Sequence, residues 1–379
     1  MTRIISVLLV LAGLTALAPL ALAGQFKKPV YYKLNSATPA RIISAEFTND
    51  GNLDLAVADY GSSQVGILLG KGNGKFQPAR YFTAPSAFDL AAGDFNGDGS
   101  LDLAVVEPGG TGSSALSIFL GDGKGNFRES ATYQTGVQST SVAVADFDGD
   151  GKLDVAVTNE LGYGKDGKKG SVMVFLGKGD GTFKAPVTYV LPGGPLGIAA
   201  GDLNGDHHPD LVVAQVTGGS VAILMNDGHG KFKHTGTYGA NYPNDVAIKD
   251  LGNGEQDIVA SDPGGLSLAV LLGKGDGTFG KAALYSTSQL GSGNPNAVVV
   301  ADFNRDGNPD IAVSISNGEG GVAMLYGNGD GTFQNPVIIA KPSGSGAGLA
   351  LGDFNKDGAP DLAVSEEGEI GVAVLINAH

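Results

Sequence analysis

The sequence predicts an all-β protein: a seven-bladed β-propeller of four-stranded antiparallel blades, its ring closed by the N-terminal strand. Three observations carry this. An acidic nine-residue loop recurs seven times at spacings of 48–56 residues. Each period holds four short apolar stretches separated by Gly, Asp and Asn turns. The fourth strand that the last period lacks stands at the start of the chain.

The loop is clearest as Asp94-Phe95-Asn96-Gly97-Asp98-Gly99-Ser100-Leu101-Asp102. It returns at 146–154, 202–210, 302–310 and 353–361, and in degenerate form at 46–54 and 250–257. A second, Gly-rich motif interleaves with it and ends at Phe76, Phe127, Phe183, Phe232, Phe279 and Phe333. In the third unit the strands are expected at 141–147, 153–158, 171–176 and 183–190. The first two are apolar on both faces, as in a sandwiched sheet. No helix is expected beyond residue 23. Four strands every ~50 residues is the spacing of propeller blades, which form rings of ~4–8. Such a ring escapes the ~250–300-residue ceiling of a single core. A linear solenoid would need capped ends. Here the last unit stops at its third strand, and the fourth-strand pattern of Phe183, Pro186, Val187 and Tyr189 recurs at Phe26, Pro29, Val30 and Tyr32.

Composition agrees with a turn-rich folded chain. Of 379 residues, 62 are Gly and 17 Pro, yet 42% are apolar, which argues against disorder. There is no Cys, so disulfides and thiolate metal sites are excluded. The net charge of −15 disfavours nucleic acid and anionic lipid as partners. Residues 1–23 read as a signal peptide: Arg3, an apolar run, then Ala21-Leu22-Ala23 as the cleavage signal. An uncleaved anchor is the rival reading, since residues 4–23 are uncharged. The expectation is a secreted, periplasmic or cell-surface monomer with one propeller domain at 24–379.

The acidic loops carry the clearest chemistry. Acids or amides recur at positions 1, 3, 5 and 9, and such a density of hard oxygens suits Ca2+, which takes ~6–8 of them. Gly at position 6 permits the sharp turn. Sixteen loop aspartates account for the whole acid excess, and five bound ions would restore ten charges. The same residues without metal would form Asx turns. An EF-hand needs Glu at position 12, where this chain has Val105, Val157, Val213, Val313 or Val364 inside apolar strands.

These two motifs resemble FG-GAP/VCBS repeats, the propeller type seen in the head of integrin alpha subunits. The resemblance spans about residues 26–377. It implies that side chains 1, 3, 5 and 9 and the carbonyl of residue 7 hold calcium. In the second unit these are Asp94, Asn96, Asp98, Asp102 and the Ser100 carbonyl; in the third, Asp146, Asp148, Asp150, Asp154 and the Lys152 carbonyl. In the fourth they are Asp202, Asn204, Asp206, Asp210 and the His208 carbonyl. The sixth offers Asp302, Asn304, Asp306, Asp310 and the Asn308 carbonyl, the seventh Asp353, Asn355, Asp357, Asp361 and the Ala359 carbonyl. The first copy is weaker, with Glu46, Asp50, Asn52 and Asp54 but Thr48 at position 3. The fifth is one residue short, and no metal is expected there. His207 replaces the position-6 Gly of the fourth copy; it reads as a turn substitution rather than half of a zinc pair.

Binding is expected on the opposite face, where connections vary in length, because function concentrates on variable loops of a rigid scaffold. Candidate residues are Tyr60, Tyr163, Tyr238, Tyr242, Lys165, Lys168 and Lys169, facing a carbohydrate or protein ligand. An ordinary soluble rim is the bland alternative. No nucleophile elbow or Cys nucleophile is present, and Gly275-Asp276-Gly277-Thr278-Phe279-Gly280 matches a nucleotide motif without a following helix. The reading is a calcium-stabilised binding or adhesion module. A polysaccharide lyase or sugar dehydratase and a structural envelope protein are the alternatives.

Overall fold

A computed structural model describes residues 26–109, 114–163, 169–317, 320–341, 344–368 and 371–378. The signal-peptide reading of residues 1–23 lies outside them.

The strands form seven four-stranded antiparallel sheets. Blade 1 comprises Pro39–Ala45, Asp54–Asp59, Gln64–Leu68 and Arg80–Thr83, from the axis outward. Blades 2 to 6 repeat that order along the chain. Blade 7 takes Ser345–Gly352, Asp361–Glu367 and Gly371–Leu375, and its outer strand is Val30–Tyr32. Val30 pairs with Val374 and Tyr32 with Val372, so the N-terminal strand closes the ring. Phe26 bridges Asn377, as Phe76 bridges Gly70 and Phe183 bridges Gly177 in other blades. The only helical pieces among the described residues are two 3-10 turns, Tyr60–Ser62 and Ser288–Leu290.

In blade 3 the strands are Val137–Ala145, Asp154–Tyr163, Lys169–Phe175 and Val187–Leu191. The second strand outruns the sequence expectation because it continues into a long hairpin, pairing Tyr163 with Lys169. The outer strand starts later than expected: Pro186 has no N–H to give to a ladder.

Second strands are buried along their apolar runs, and only the far ends of those in blades 3, 6 and 7 emerge. First strands are only partly buried, because one side faces an axial channel. The core is distributed. Each of seven apolar clusters straddles one blade interface, from blades 7 and 1 through to blades 6 and 7. Burying apolar surface between neighbours stabilises such rings, and no central core is needed.

Candidate functional site

Each acidic loop joins the first strand of a blade to the second, so all seven lie on one face. The position-9 carboxylate is fully buried in every copy, degenerate ones included. It accepts two backbone N–H groups. Asp102 takes those of Phe95 (2.9 Å) and Gly121 (2.8 Å), Asp154 those of Phe147 (2.8 Å) and Gly177 (2.7 Å). Asp257 in the shortened fifth loop does the same for Leu251 (2.9 Å) and Gly273 (2.7 Å). Burial outweighs these donors and pushes Asp102, Asp154, Asp210, Asp310 and Asp361 up to about 6. Position 9 is therefore a clamp between loop and turn, whatever else it binds.

The outer positions build a cradle. Asp94 accepts N–H bonds from Gly97 (2.7 Å) and Gly99 (2.8 Å), and the equivalents Asp146, Asp202, Asp302 and Asp353 accept like ones. In loops 2, 4, 6 and 7 the position-3 amide donates to the position-5 carboxylate: Asn96 to Asp98, Asn204 to Asp206, Asn304 to Asp306, Asn355 to Asp357. Loop 3 has Asp148 there and cannot make this bond. Its Asp146, Asp148 and Asp154 oxygens all lie within 4.8 Å of one another, and Asp148 Oδ1 is buried without a partner. Lys184 approaches Asp148 at 3.4 Å and Lys152 holds Asp150 at 2.8 Å. An orphaned buried carboxylate oxygen beside two more is a donor set that fits a hard divalent cation.

Degenerate loops close differently. Glu46 accepts the Gly51 N–H, Asp50 the Asn52 N–H (2.8 Å), and Thr48 donates to Asp54. In loop 5, Asn253 donates to Asp257 at 2.7 Å, filling the gap left by the missing residue. His207 takes φ 67°, the left-handed conformation expected of its position. Sequence reasoning missed that position 4 is left-handed too. There Arg305 (φ 59°) and Lys356 (φ 62°) stand where loops 2, 3 and 4 have Gly97, Gly149 and Gly205 and loop 1 has Asn49 (φ 52°). The Arg305 guanidinium reaches across to donate to the Asp357 carbonyl of the next loop at 2.9 Å.

The loops also latch the blades. The carbonyl at position 2 accepts the N–H of a turn Gly in the following blade: Phe95 from Gly181 (2.9 Å), Phe147 from Gly230 (2.9 Å), Phe354 from Gly74 (2.8 Å). The aromatic rings of the two motifs meet edge to face, as Phe95 with Phe183 and Phe147 with Phe232. Outer-strand tyrosines complete the joint. The hydroxyls of Tyr32, Tyr133, Tyr189, Tyr238 and Tyr285 accept the N–H of Phe76, Phe183, Phe232, Phe279 and Phe333. Tyr238, a candidate for the ligand face, is thus placed in a blade-to-blade clasp instead.

On the opposite face, Tyr60 is 45% exposed and meets Phe88 edge-on at 6.1 Å. Tyr242 is 56% exposed, in the connection from blade 4 to blade 5. Asp262 fixes that connection, accepting from Asn241, the Tyr242 N–H, Gly265 and Ser267. Lys169 is exposed. Lys165, Lys168 and the Tyr163 side chain lie outside the described residues.

The axis joins the two faces. A channel cavity of about 560 Å³ is walled by first strands. Arg41 of blade 1 spans it to Asp245 beside blade 5, with Nη–Oδ distances of 3.2 and 3.3 Å. Asp89 lies near, buried and accepting from Ser141 (2.6 Å) and Leu90 (2.8 Å). Beyond the bridge, a cup of about 150 Å³ opens at the tyrosine-bearing end. Sequence reasoning missed this site, whose residues come from separate blades and share no motif.

A family model described as an FG-GAP-like repeat matches residues 47–105, 94–157, 161–213, 251–313 and 312–364. No curated protein matches the sequence significantly. Among solved structures the chain is similar to BBS1N in complex with ARL6DN, at 14% identity and TM-score 0.63, covering 93% of this chain and 97% of that one. A candidate 6-phosphogluconolactonase from Bacteroides uniformis gives 14% identity and TM-score 0.60, with 90% and 95% covered. A protein from Lactobacillus plantarum gives 14% and 0.59, with 90% and 97% covered. At such identities these likenesses concern the fold alone.

Proposed function

The chain belongs to the FG-GAP-like repeat family, and from that premise we propose an exported, calcium-stabilised binding or adhesion module. It holds a carbohydrate or protein on the face opposite the acidic loops. The observation that carries this reading is the contrast between the two faces. The acidic loops are clamped at position 9 and latched into the next blade, so their work is to hold the ring. The other face presents exposed Tyr60 and Tyr242 and the channel mouth.

Calcium fits the first face. Binding to the folded loops alone would stabilise the fold by linkage, in a chain without disulfides. Protein binding by this fold has a precedent in the BBS1N–ARL6DN complex.

The test is retention of calcium-loaded protein on immobilised polysaccharides and capture of partners from a cell-surface extract. Each is run with the parent and with Tyr60→Ala and Tyr242→Ala. Retention that either variant weakens supports the reading. Retention unchanged in both, or turnover of a retained sugar, would replace it.

A further inference from the structure

We propose that the cup at the channel mouth is a binding site for a single neutral pyranose ring. This deepens the reading of the tyrosine-bearing face as the ligand face and rests on it.

The cup has the size of a small ring-shaped ligand, about 150 Å³. Phe88 supplies an aromatic wall, held edge-on by the exposed Tyr60. Sugar rings present C–H faces that pack on such surfaces, with hydroxyls around the edge. The remaining wall answers the edge: the Thr140 hydroxyl, the Asn244 and Asn296 amides, and the Arg41 guanidinium. A hydroxyl both donates and accepts, and so does an amide.

These groups are already oriented. Asn244 donates to Asn296, and Asn296 donates to the Ala347 carbonyl at 2.8 Å, a relay across blades 5, 6 and 7. Each amide keeps a second N–H. Arg41 is fixed through two nitrogens to Asp245, itself held by the Val298 N–H at 3.1 Å. A guanidinium has five N–H donors, so the pair leaves some for a ligand. Orientation before binding lowers the entropic cost of association.

Charge selects the class. Asp245 neutralises Arg41, Asp89 adds a buried carboxyl on the channel side of the bridge, and Glu367 stands on the cup wall. The balance is negative, so a uronate, sulfate or phosphate is disfavoured. A neutral polyhydroxyl ring meets charge-assisted donors without bringing a charge of its own.

The experiment is titration of the calcium-loaded protein with methyl glycosides of glucose, galactose, mannose and N-acetylglucosamine, and with methyl glucuronide. Binding is followed by saturation-transfer NMR and calorimetry. One neutral glycoside should bind at one per chain. Phe88→Leu and Arg41→Lys should each weaken it at least tenfold, Lys178→Ala, an exposed change on the acidic-loop face, should leave it unchanged, and glucuronide should bind more weakly than its neutral counterpart. Circular dichroism melting of each variant confirms folding, and Phe88→Leu, the milder change, decides if Arg41→Lys does not fold. Absence of binding by every neutral glycoside overturns the cup, as does binding that Phe88→Leu leaves intact. If Tyr242→Ala abolishes binding while the cup variants do not, the cup falls and the ligand face stands. If sugar binds and no variant matters, both fall.

Discussion

Asp257→Ala tests the position-9 clamp where metal is least expected, since the fifth loop is one residue short and has Gly at positions 3 and 5. Its carboxylate accepts the Leu251 N–H at 2.9 Å, the Gly273 N–H at 2.7 Å and the Asn253 amide at 2.7 Å. Leu251 is 1% exposed, so truncation leaves its donor buried with no acceptor. A stranded buried donor costs about 1–3 kcal/mol, so the Leu251 N–H alone should bring a loss of that size, with the half-buried Gly273 N–H adding less. Against a typical total of about 5–15 kcal/mol, that is a large share. The assay is urea denaturation followed by far-UV circular dichroism, in calcium buffer and in chelator. The midpoint should fall by the same amount in both. A loss under about 1 kcal/mol would refute the clamp. So would a loss present only with calcium, since it would make this aspartate a metal ligand first.

Three further outcomes follow. Tyr133→Phe removes the hydroxyl that accepts the Phe183 N–H at 2.9 Å while keeping the ring; it should cost about 1–3 kcal/mol by denaturant midpoint. Asp148→Asn should weaken one calcium site at least ~10-fold by calorimetry, leaving the other sites unchanged; an unaltered isotherm would count against the loop-3 cradle. Glu366 is buried and thereby pushed up to about 7 from its ordinary 4.5, so the folded state binds its proton more tightly than the unfolded chain. Its stability contribution is full below about 4.5 and lost as pH rises through about 7. Glu366→Gln should therefore gain on the order of 1–3 kcal/mol over the parent at pH 8 and nothing at pH 4.5, and equal midpoint shifts at both would contradict this.

What was legible in the sequence was whatever recurs within one blade. The period, the strands and the ring closure at Val30–Tyr32 follow from repeated local patterns, and the fold shows all three. Less legible was what crosses between blades. Tyr189 and Tyr32 were visible as a motif, but their bond to the Phe N–H of the next blade needs the ring. The same limit misdirected Tyr238, a lone exposed-looking tyrosine in sequence and a clasp in space. Position 4 hid because Arg305 and Lys356 break the Gly pattern, although the backbone needs the same left-handed turn. The channel mouth was beyond reach: Arg41 and Asp245 are brought together only by the circle of blades.

The closure of blade 7 sets an order of events. Val30–Tyr32 is among the earliest strands synthesised and Gly371–Leu375 the last, yet they are partners. Until the end of the chain emerges, the first strand has nothing to pair with and six blades stand as an open arc. Long-range pairing of this kind slows folding. Once Gly371–Leu375 arrives it presents a free edge until its own partner docks, and a second chain's N-terminal strand could occupy that edge as well. A chain shortened ahead of Val30 should keep its ring. One shortened past Tyr32 should exchange strands with neighbours, appearing as dimers in light scattering that grow with concentration.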